Sequence, residues 1–515
     1  MKIEVGHAEA RLVGATPTTL KVVRHFVAYR AQTLPPVEAQ KVIRAFARDF
    51  RGPTASMMLA LWDDPATSAA LTNCGLAPET LTRAEVEASL RGRGFWDGWE
   101  RLVRTDGSFA SGLVNHVQRA LVLRVGVAPA KVVDCRGPAP RGTPLPGPDL
   151  LPFQRDALSA WLAAGQGVVD LPPRAGKTRI AVAAVCALGL PTLYVVPTVG
   201  LVKQTAEVFR AAGVSVAEVS GGRLPPARAR EAARALVWVA TPQSAVKVPG
   251  IGGRQVLILD EFHHAAASTW QAVVQAASGA WWRLGLTGTH YRADGRDLEL
   301  VGVLSDAVYR RSVAELVALG RLVPAKIAML RISGAVEGSG HALYTVGMVE
   351  HPGRLRALTS AANRLVAARK RVLVITKEVR HAEELSARIP GSVQVDGRDN
   401  DAVDAALRDL ADGKIKCVVG TSVIGEGRDV PACDALVLAG GGVSRVKVKQ
   451  DYFRALTASP GKRHALIVDT ADCQHPALAR QSAERLRLYE SERCFDVKVI
   501  DPPAFARWLE DSDGR

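Results

Sequence analysis

The stretch "DLPPRAGKTRI", residues 170–180, decides how the rest of the chain is read. It contains Gly176-Lys177-Thr178, the tail of the phosphate-loop pattern G-x-x-x-x-G-K-[ST], but Leu171 stands where the first glycine of that pattern falls. Its flanks supply the context. "GVVDL" (167–171) is a short apolar run, and "RIAVAAVCALG" (179–189) has helical character. Strand, tight loop and helix in that order aim the N–H groups of a helix start at an anion. Arg174 and Ala175 line the loop and Gly176 lets the backbone approach. Lys177 would neutralise the β- and γ-phosphates of ATP, and Thr178 would hold Mg²⁺. Because Leu171 ends the strand, no glycine is required there.

Working outward, "TLYVVP", "ALVWVAT" and "QVLILDE" are apolar runs of the length of buried parallel strands, with the helical "LVKQTAEVFRAAG" (201–213) among them. This alternation predicts a doubly wound α/β domain. A second set follows residue 350: "RVLVIT", "SVQVDG", "KCVVGTS", "ALVLAG" and "HALIVDT", with "HAEELSARI" and "DAVDAALRDLADG" as helices. The fold class expected is therefore α/β, two tandem doubly wound parallel-sheet domains preceded by a small α+β accessory domain. The expected divisions are 1–134 (accessory, DNA-binding), 135–150 (a linker, within a stretch holding six prolines to residue 152), 151–330, 331–480, and an extension over 481–515 made of a basic helix, a short strand and a last helix.

"VLILDEFHH" (256–264) ends a strand in two carboxylates at the carboxyl edge of the first sheet, beside the phosphate loop. Asp260 would hold the Mg²⁺ and Glu261 would orient or deprotonate the attacking water. His263 and His264, read as strand residues, point to opposite faces and share no metal.

Composition bounds the partners. The net charge is +15, which favours polyanions, nucleic acid above all. Seven scattered cysteines without a C-x-x-C pair speak against zinc and disulfide frameworks. The absence of a long apolar run and of a signal-like start predicts a cytoplasmic protein with no membrane partner.

Taken in order, the motifs resemble those of the superfamily 2 helicases and translocases, over about residues 151–475. "LLPFQRDAL" is similar to the adenine-reading segment, with Gln154 matching. "VVPTVGLVKQ" resembles the first strand-contacting motif (Pro197, Thr198, Gln204) and "ATPQS" the second (Thr241, Pro242, Gln243). "DEFH" resembles a DExH box, and "GLTGTHYRADG" the motif that couples the two sites. "VVGTSVIGEGRDVP" matches at Thr421, Glu426, Gly427 and Asp429. The resemblance implies RecA-like motor domains, with Thr421 toward nucleic acid and Gly427 and Asp429 toward the nucleotide. "SRVKVKQDYFRALT" resembles the last motif, Q-x-x-G-R-x-x-R, with Gln450 on the nucleotide and Arg454 as catalytic arginine. It departs from that pattern at Phe453 and Thr457, so turnover is expected to be slow, dependent on Arg454 and faster with arginine at 457.

In the front segment, "GRGFWDGWERLVRTDG" interleaves Phe95, Trp96 and Trp99 with Arg91, Arg93, Arg101 and Arg104. Such a pattern stacks bases and grips phosphates, or forms a small core with a charged surface. It resembles the N-terminal domain of phage branch-migration helicases of the UvsW type and of XPB-like helicases, and points to DNA in preference to RNA. The expected activity is ATP-dependent helicase or translocase action on branched or duplex DNA. Two alternatives stay open: the motor subunit of a restriction or defence complex with a further protein partner, and a nucleic-acid-binding module with impaired ATPase.

Overall fold

The computed structural model describes the chain except residues 7–8, 31–98, 105, 222–229, 231, 266–267, 289–296, 422–423, 425–432 and 514–515. Two compact units emerge: Met1–Pro140 with His263–Arg283 and Tyr291–Asp306, and Arg141–Phe262 with Leu284–His290 and Ala307–Arg515.

In the first unit β1 (Lys2–Val5) and β2 (Glu9–Val13) alternate in burial, Ile3, Val5, Ala10 and Leu12 facing inward. β3 (Ala28–Arg30) and β4 (Trp99–Arg101) form a separate antiparallel pair. β5 (Ser108–Ala110) and β6 (Lys131–Asp134) complete a sheet of order β5-β2-β1-β6. The helices Pro17–Phe26 and Val114–Ala120 add Val23, Val117 and Ala120 to the core under that sheet. This is the α+β architecture expected of the front domain.

The second unit holds two seven-stranded sheets. The first runs β13-β7-β12-β11-β8-β10-β9, from β7 (Gln166–Asp170), β8 (Thr192–Val195), β9 (Val216–Val219), β10 (Val237–Ala240), β11 (Val256–Leu259), β12 (Trp282–Thr287) and β13 (Ala307–Arg310). The second runs β16-β17-β15-β18-β19-β14-β20, from β14 (Ala325–Ile332), β15 (Val372–Thr376), β16 (Ser392–Val395), β17 (Cys417–Thr421), β18 (Ala435–Leu438), β19 (Ala465–Asp472) and β20 (Phe495–Ile500). Every neighbouring pair in it is parallel. Its central strands are buried end to end, which is why they read as unbroken apolar runs.

Two boundaries differ from expectation. The division at 330/331 falls inside β14, which lies wholly in the second sheet between β19 and β20. The segment after 480 is not a separate extension: β20 is a strand of that sheet, and Phe505, Trp508 and Leu509 of the last helix lie in its core. The proline-rich stretch has no regular element but is anchored. Trp281 and Trp282 donate from their indole nitrogens to the carbonyls of Gly137 and Pro140, both at 3.2 Å. Farther along, Gly142 N and Leu145 N donate to the carbonyls of Leu188 and Cys186. At Gly189 a Cβ would stand 1.9 Å from the Thr143 carbonyl oxygen, so only glycine permits this approach.

Candidate nucleotide site and nucleic-acid face

β7 delivers the phosphate loop. Gly176 takes a left-handed conformation (φ 81°) and the helix Lys177–Leu188 begins directly after it. Arg174, without glycine's freedom, is also left-handed at φ 68° and exposed. Gln154, only 3% exposed, braces the loop: Nε2 donates to Ala175 O at 2.8 Å, and Oε1 accepts from Leu151 N. A Cβ on Gly176 would meet that Nε2 at 2.4 Å. The side chain read as an adenine reader is thus committed to the loop. Lys177 Nζ donates to the carbonyls of Leu171 and Pro172 at 3.2 and 3.4 Å, folding over the loop.

The acidic pair follows β11 on the neighbouring part of the same sheet. Asp260 N bonds Val195 O, and Asp260 Oδ1 accepts from Glu261 N. Glu261 is left-handed at φ 49°. Among the described residues four non-glycine residues have positive φ, and two of them, Arg174 and Glu261, belong here, as strain stored at a working site would. Burial raises the carboxyl of Asp260 and pushes Glu261 up to about 7. For Glu261, Lys177 acts in the opposite sense and Asp260 adds to the rise. Asp260 Oδ2 accepts at 2.8 Å from the hydroxyl of Tyr194, a buried residue of β8 that sequence reasoning did not single out. His263 and His264 lie in a 3-10 turn, Phe262–His264, not in a strand, with ring centroids 4.3 Å apart. No group of three or more His, Cys, Asp or Glu able to hold a metal occurs among the described residues.

The last motif comes from the helix Arg445–Phe453, which carries half-buried Gln450. Arg454 caps its end, 7% exposed, with Nε 3.4 Å from Asp451 Oδ1. Burial lowers its pKa, Asp451 opposes this, and the charge of Arg174 adds to the lowering, so the arginine of the phosphate loop and that of the last motif feel each other. Lys462 Nζ donates to the carbonyls of Cys433 and Ala455, both at 2.5 Å, and of Thr457, tying down the turn after Arg454. Phe453, standing for the family's glycine, is a core residue 4.9 Å from Tyr452 between ring centroids. Thr457 forms an antiparallel bridge with Leu322, and its buried hydroxyl has no hydrogen-bond partner.

Comparison with known proteins agrees with this geometry. Residues 148–292 match the family described as type III restriction enzyme, res subunit, and residues 354–454 the helicase conserved C-terminal domain. The chain carries the paired motor domains of a superfamily 2 helicase or translocase. A protein of Sulfurisphaera tokodaii named DNA 3′-5′ translocase XPB2 is 25% identical over 345 residues, 58% of this chain and 76% of that protein. The solved structure of LlaBIII, an ATP-dependent type ISP restriction-modification enzyme bound to DNA, shares the fold with a TM-score of 0.52 at 15% identity, over 71% of this chain and 32% of that one. T4 UvsW aligns over 98% of this chain and 100% of its own at 17% identity, with a TM-score of 0.42.

The expected nucleic-acid residues of this chain fall into two groups. Thr198 and Gln204 are exposed, Pro197 half-buried and Gln243 exposed. Thr198 also caps the helix Val199–Ala211, accepting from Leu201 N. Thr241 and Pro242 are buried, and the Thr241 hydroxyl bonds Ser244 Oγ, which makes them supports of that turn. Thr421 lines an open groove of about 630 Å³ with Arg380, Glu383, Asp396 and Arg398. Arg91, Arg93, Trp96, Glu426, Gly427 and Asp429 lie outside the described residues. Arg104, the arginine of the front stretch whose side chain is described, pairs with Glu9 at 2.7 Å.

The donor set fits a magnesium ion. A hydroxyl and a half-buried carboxylate are hard oxygen donors, and Mg²⁺ is ordinarily held by one or two carboxylates together with substrate phosphates and water, not by a full protein cage. Desolvation disfavours the charged forms of Asp260 and Glu261, a penalty that a cation would relieve.

Proposed function

We propose that this chain is an ATP-driven DNA motor that moves on duplex or branched DNA, with Mg²⁺ as the metal partner of ATP and Thr178 and Asp260 as its holders. The observation carrying this reading is the half-buried acidic pair, desolvated and held within electrostatic reach of Lys177 at the carboxyl edge of the first sheet. Lys177 would exchange its loop carbonyls for the β- and γ-phosphates. Bound Mg²⁺ supplies charge neutralisation on the phosphate oxygens. Glu261, with its carboxyl near 7, is matched to accepting a proton from the attacking water at neutral pH. Arg454 would bring positive charge to the γ-phosphate from the second sheet, with Gln450 on the same helix facing the nucleotide. Nucleotide bridging the two motor domains closes them and hydrolysis releases them, so alternate grip by Thr198, Gln204 and Gln243 on one and Thr421 on the other yields steps.

DNA as substrate, and 3′-5′ direction, follow the printed name of the XPB2 relative, and the charge of +15 suits such a partner. A cytoplasmic location belongs to the same reading; no helix among the described residues is long and apolar enough to cross a membrane. A second reading, the motor subunit of a restriction complex, draws on the name of the family matching 148–292. A nuclease subunit co-purifying with the full chain would favour it.

The test is phosphate release with single-stranded, duplex, forked and four-way DNA and with RNA. Turnover should rise with DNA above RNA. Lys177→Ala should abolish it, and Glu261→Gln should retain nucleotide binding while blocking hydrolysis. Hydrolysis at the parent rate in both variants, or none stimulated by DNA, overturns the proposal.

A further inference from the structure

Tyr194 occupies the middle of β8, in a run that otherwise reads as an ordinary buried strand. Its ring is fully buried, edge-on to Phe209 with centroids 5.6 Å apart. A buried phenol needs a hydrogen-bond partner. This one donates to Asp260 Oδ2 at 2.8 Å. Asp260 is one of the residues that would hold the metal.

The bonding inventory fixes the direction of the chain. A carboxylate only accepts, so the phenolic hydrogen goes to Asp260. One oxygen of Asp260 is thus pinned by the phenol and the other by Glu261 N. We infer that Tyr194 is a positioning residue of the metal–phosphate site, its hydroxyl fixing the Asp260 carboxylate so that its remaining lone pairs face the cation. The inference rests on the proposed nucleotide reading.

The experiment uses the full chain loaded with ADP. Mn²⁺ affinity is read by electron paramagnetic resonance, and metal-free affinity for a fluorescent ADP analogue is read alongside. Tyr194→Phe keeps the ring against Phe209 and removes only the hydroxyl. It is expected to weaken Mn²⁺ binding about tenfold, the lower end of what losing a partner of a metal ligand costs, and to leave metal-free ADP affinity within twofold. Para-aminophenylalanine at 194, which restores a donor, should recover most of the loss. Phe209→Leu, which disturbs the ring packing alone, should lower the thermal midpoint and spare Mn²⁺ affinity. If Tyr194→Phe does not fold, 3,5-difluorotyrosine, a stronger donor of the same shape, should shift Mn²⁺ affinity measurably. Unchanged Mn²⁺ affinity in a folded Phe or difluorotyrosine variant overturns the inference, as does an equal loss of metal-free ADP binding. A parent chain that binds neither ADP nor Mn²⁺ instead removes the nucleotide reading beneath it.

Discussion

The ion network at the end of β19 is buried and the acidic pair at the end of β11 half-buried, and their charges are met very differently. In the first, Arg354 and Arg485 stand among Asp469 and Asp472, and each guanidinium nitrogen has an acceptor: Asp472, Met348 O, Ala439 O and Thr470 for Arg354, and Asp469, Gly442 O, Thr470 O and Asp472 for Arg485. Tyr489 closes the set on Asp469 at 2.7 Å. Burial alone would raise Asp472, but Arg354, Arg485 and Thr470 outweigh it and hold the carboxyl below its usual value. At the acidic pair burial wins, and both carboxyls rise. Arg454 resembles the second case, since its Nε has an ion-pair distance to Asp451 but no hydrogen bond. A network in which countercharge outweighs burial fixes a shape, whereas one in which burial outweighs countercharge holds charge ready for a ligand.

Where burial dominates, substitution should cost rate with little loss of fold. The largest effect is expected for Arg454→Ala, a fall in DNA-stimulated turnover of about 10³-fold or more, the low end for a catalytic arginine, with the unfolding midpoint little changed. Steady-state phosphate release with parallel thermal scans measures both, and full activity would move the catalytic arginine elsewhere. Thr457→Arg, expected from sequence to speed turnover, is expected from the structure to destabilise instead, because position 457 is bridged to Leu322 and its hydroxyl is buried.

Glu261→Gln comes next, with turnover down by about 10²–10⁴-fold, the range for a general base. Its stability should equal or exceed that of the parent, because a desolvated carboxylate is removed. A destabilised variant would show that Glu261 is structural.

Where countercharge dominates the order reverses. Arg354→Met leaves Asp472 with only the longer guanidinium contact, to Arg485 at 3.3 Å, and should cost about 3–5 kcal/mol in urea unfolding. A loss below about 1 kcal/mol, the scale of exposed pairs, would place the network's strength elsewhere.

The smallest effect concerns pH. His381 is fully buried with neither ring nitrogen hydrogen-bonded, and burial, helped by Arg354, depresses its pKa to about 3. The unfolded chain takes up that proton near 6.5, so stability is complete above pH 6.5 and is lost as pH falls toward 3. His381→Leu should flatten this part of the acid limb of the midpoint–pH curve; an unaltered slope would assign the limb to other groups.

Sequence made the two sheets legible because fully buried parallel strands are unbroken apolar runs. "RVLVIT" and "KCVVGTS" coincide with β15 and β17 for that reason. Position of a residue in a motif said where Lys177, Asp260 and Glu261 would meet. It could not say that Gln154 spends its amide on the loop, or that Thr241 is a buried brace, because those facts depend on side-chain direction. Tyr194 was hidden by its own suitability for a strand. β14 escaped because "VPAKI" follows a helix of the first domain in sequence while its pairing partners lie far along the chain, at Ala465 and Phe495.

That placement of β14 constrains any dissection of the molecule. A fragment begun at residue 331 would lose six of the eight residues of β14, leaving β19 and β20 each with a bare backbone edge and almost nothing between them. Such edges invite self-association. A soluble second-domain fragment must start ahead of Ala325 and run past Leu509, and the complementary first-domain fragment must stop short of β14 or carry an orphan apolar strand.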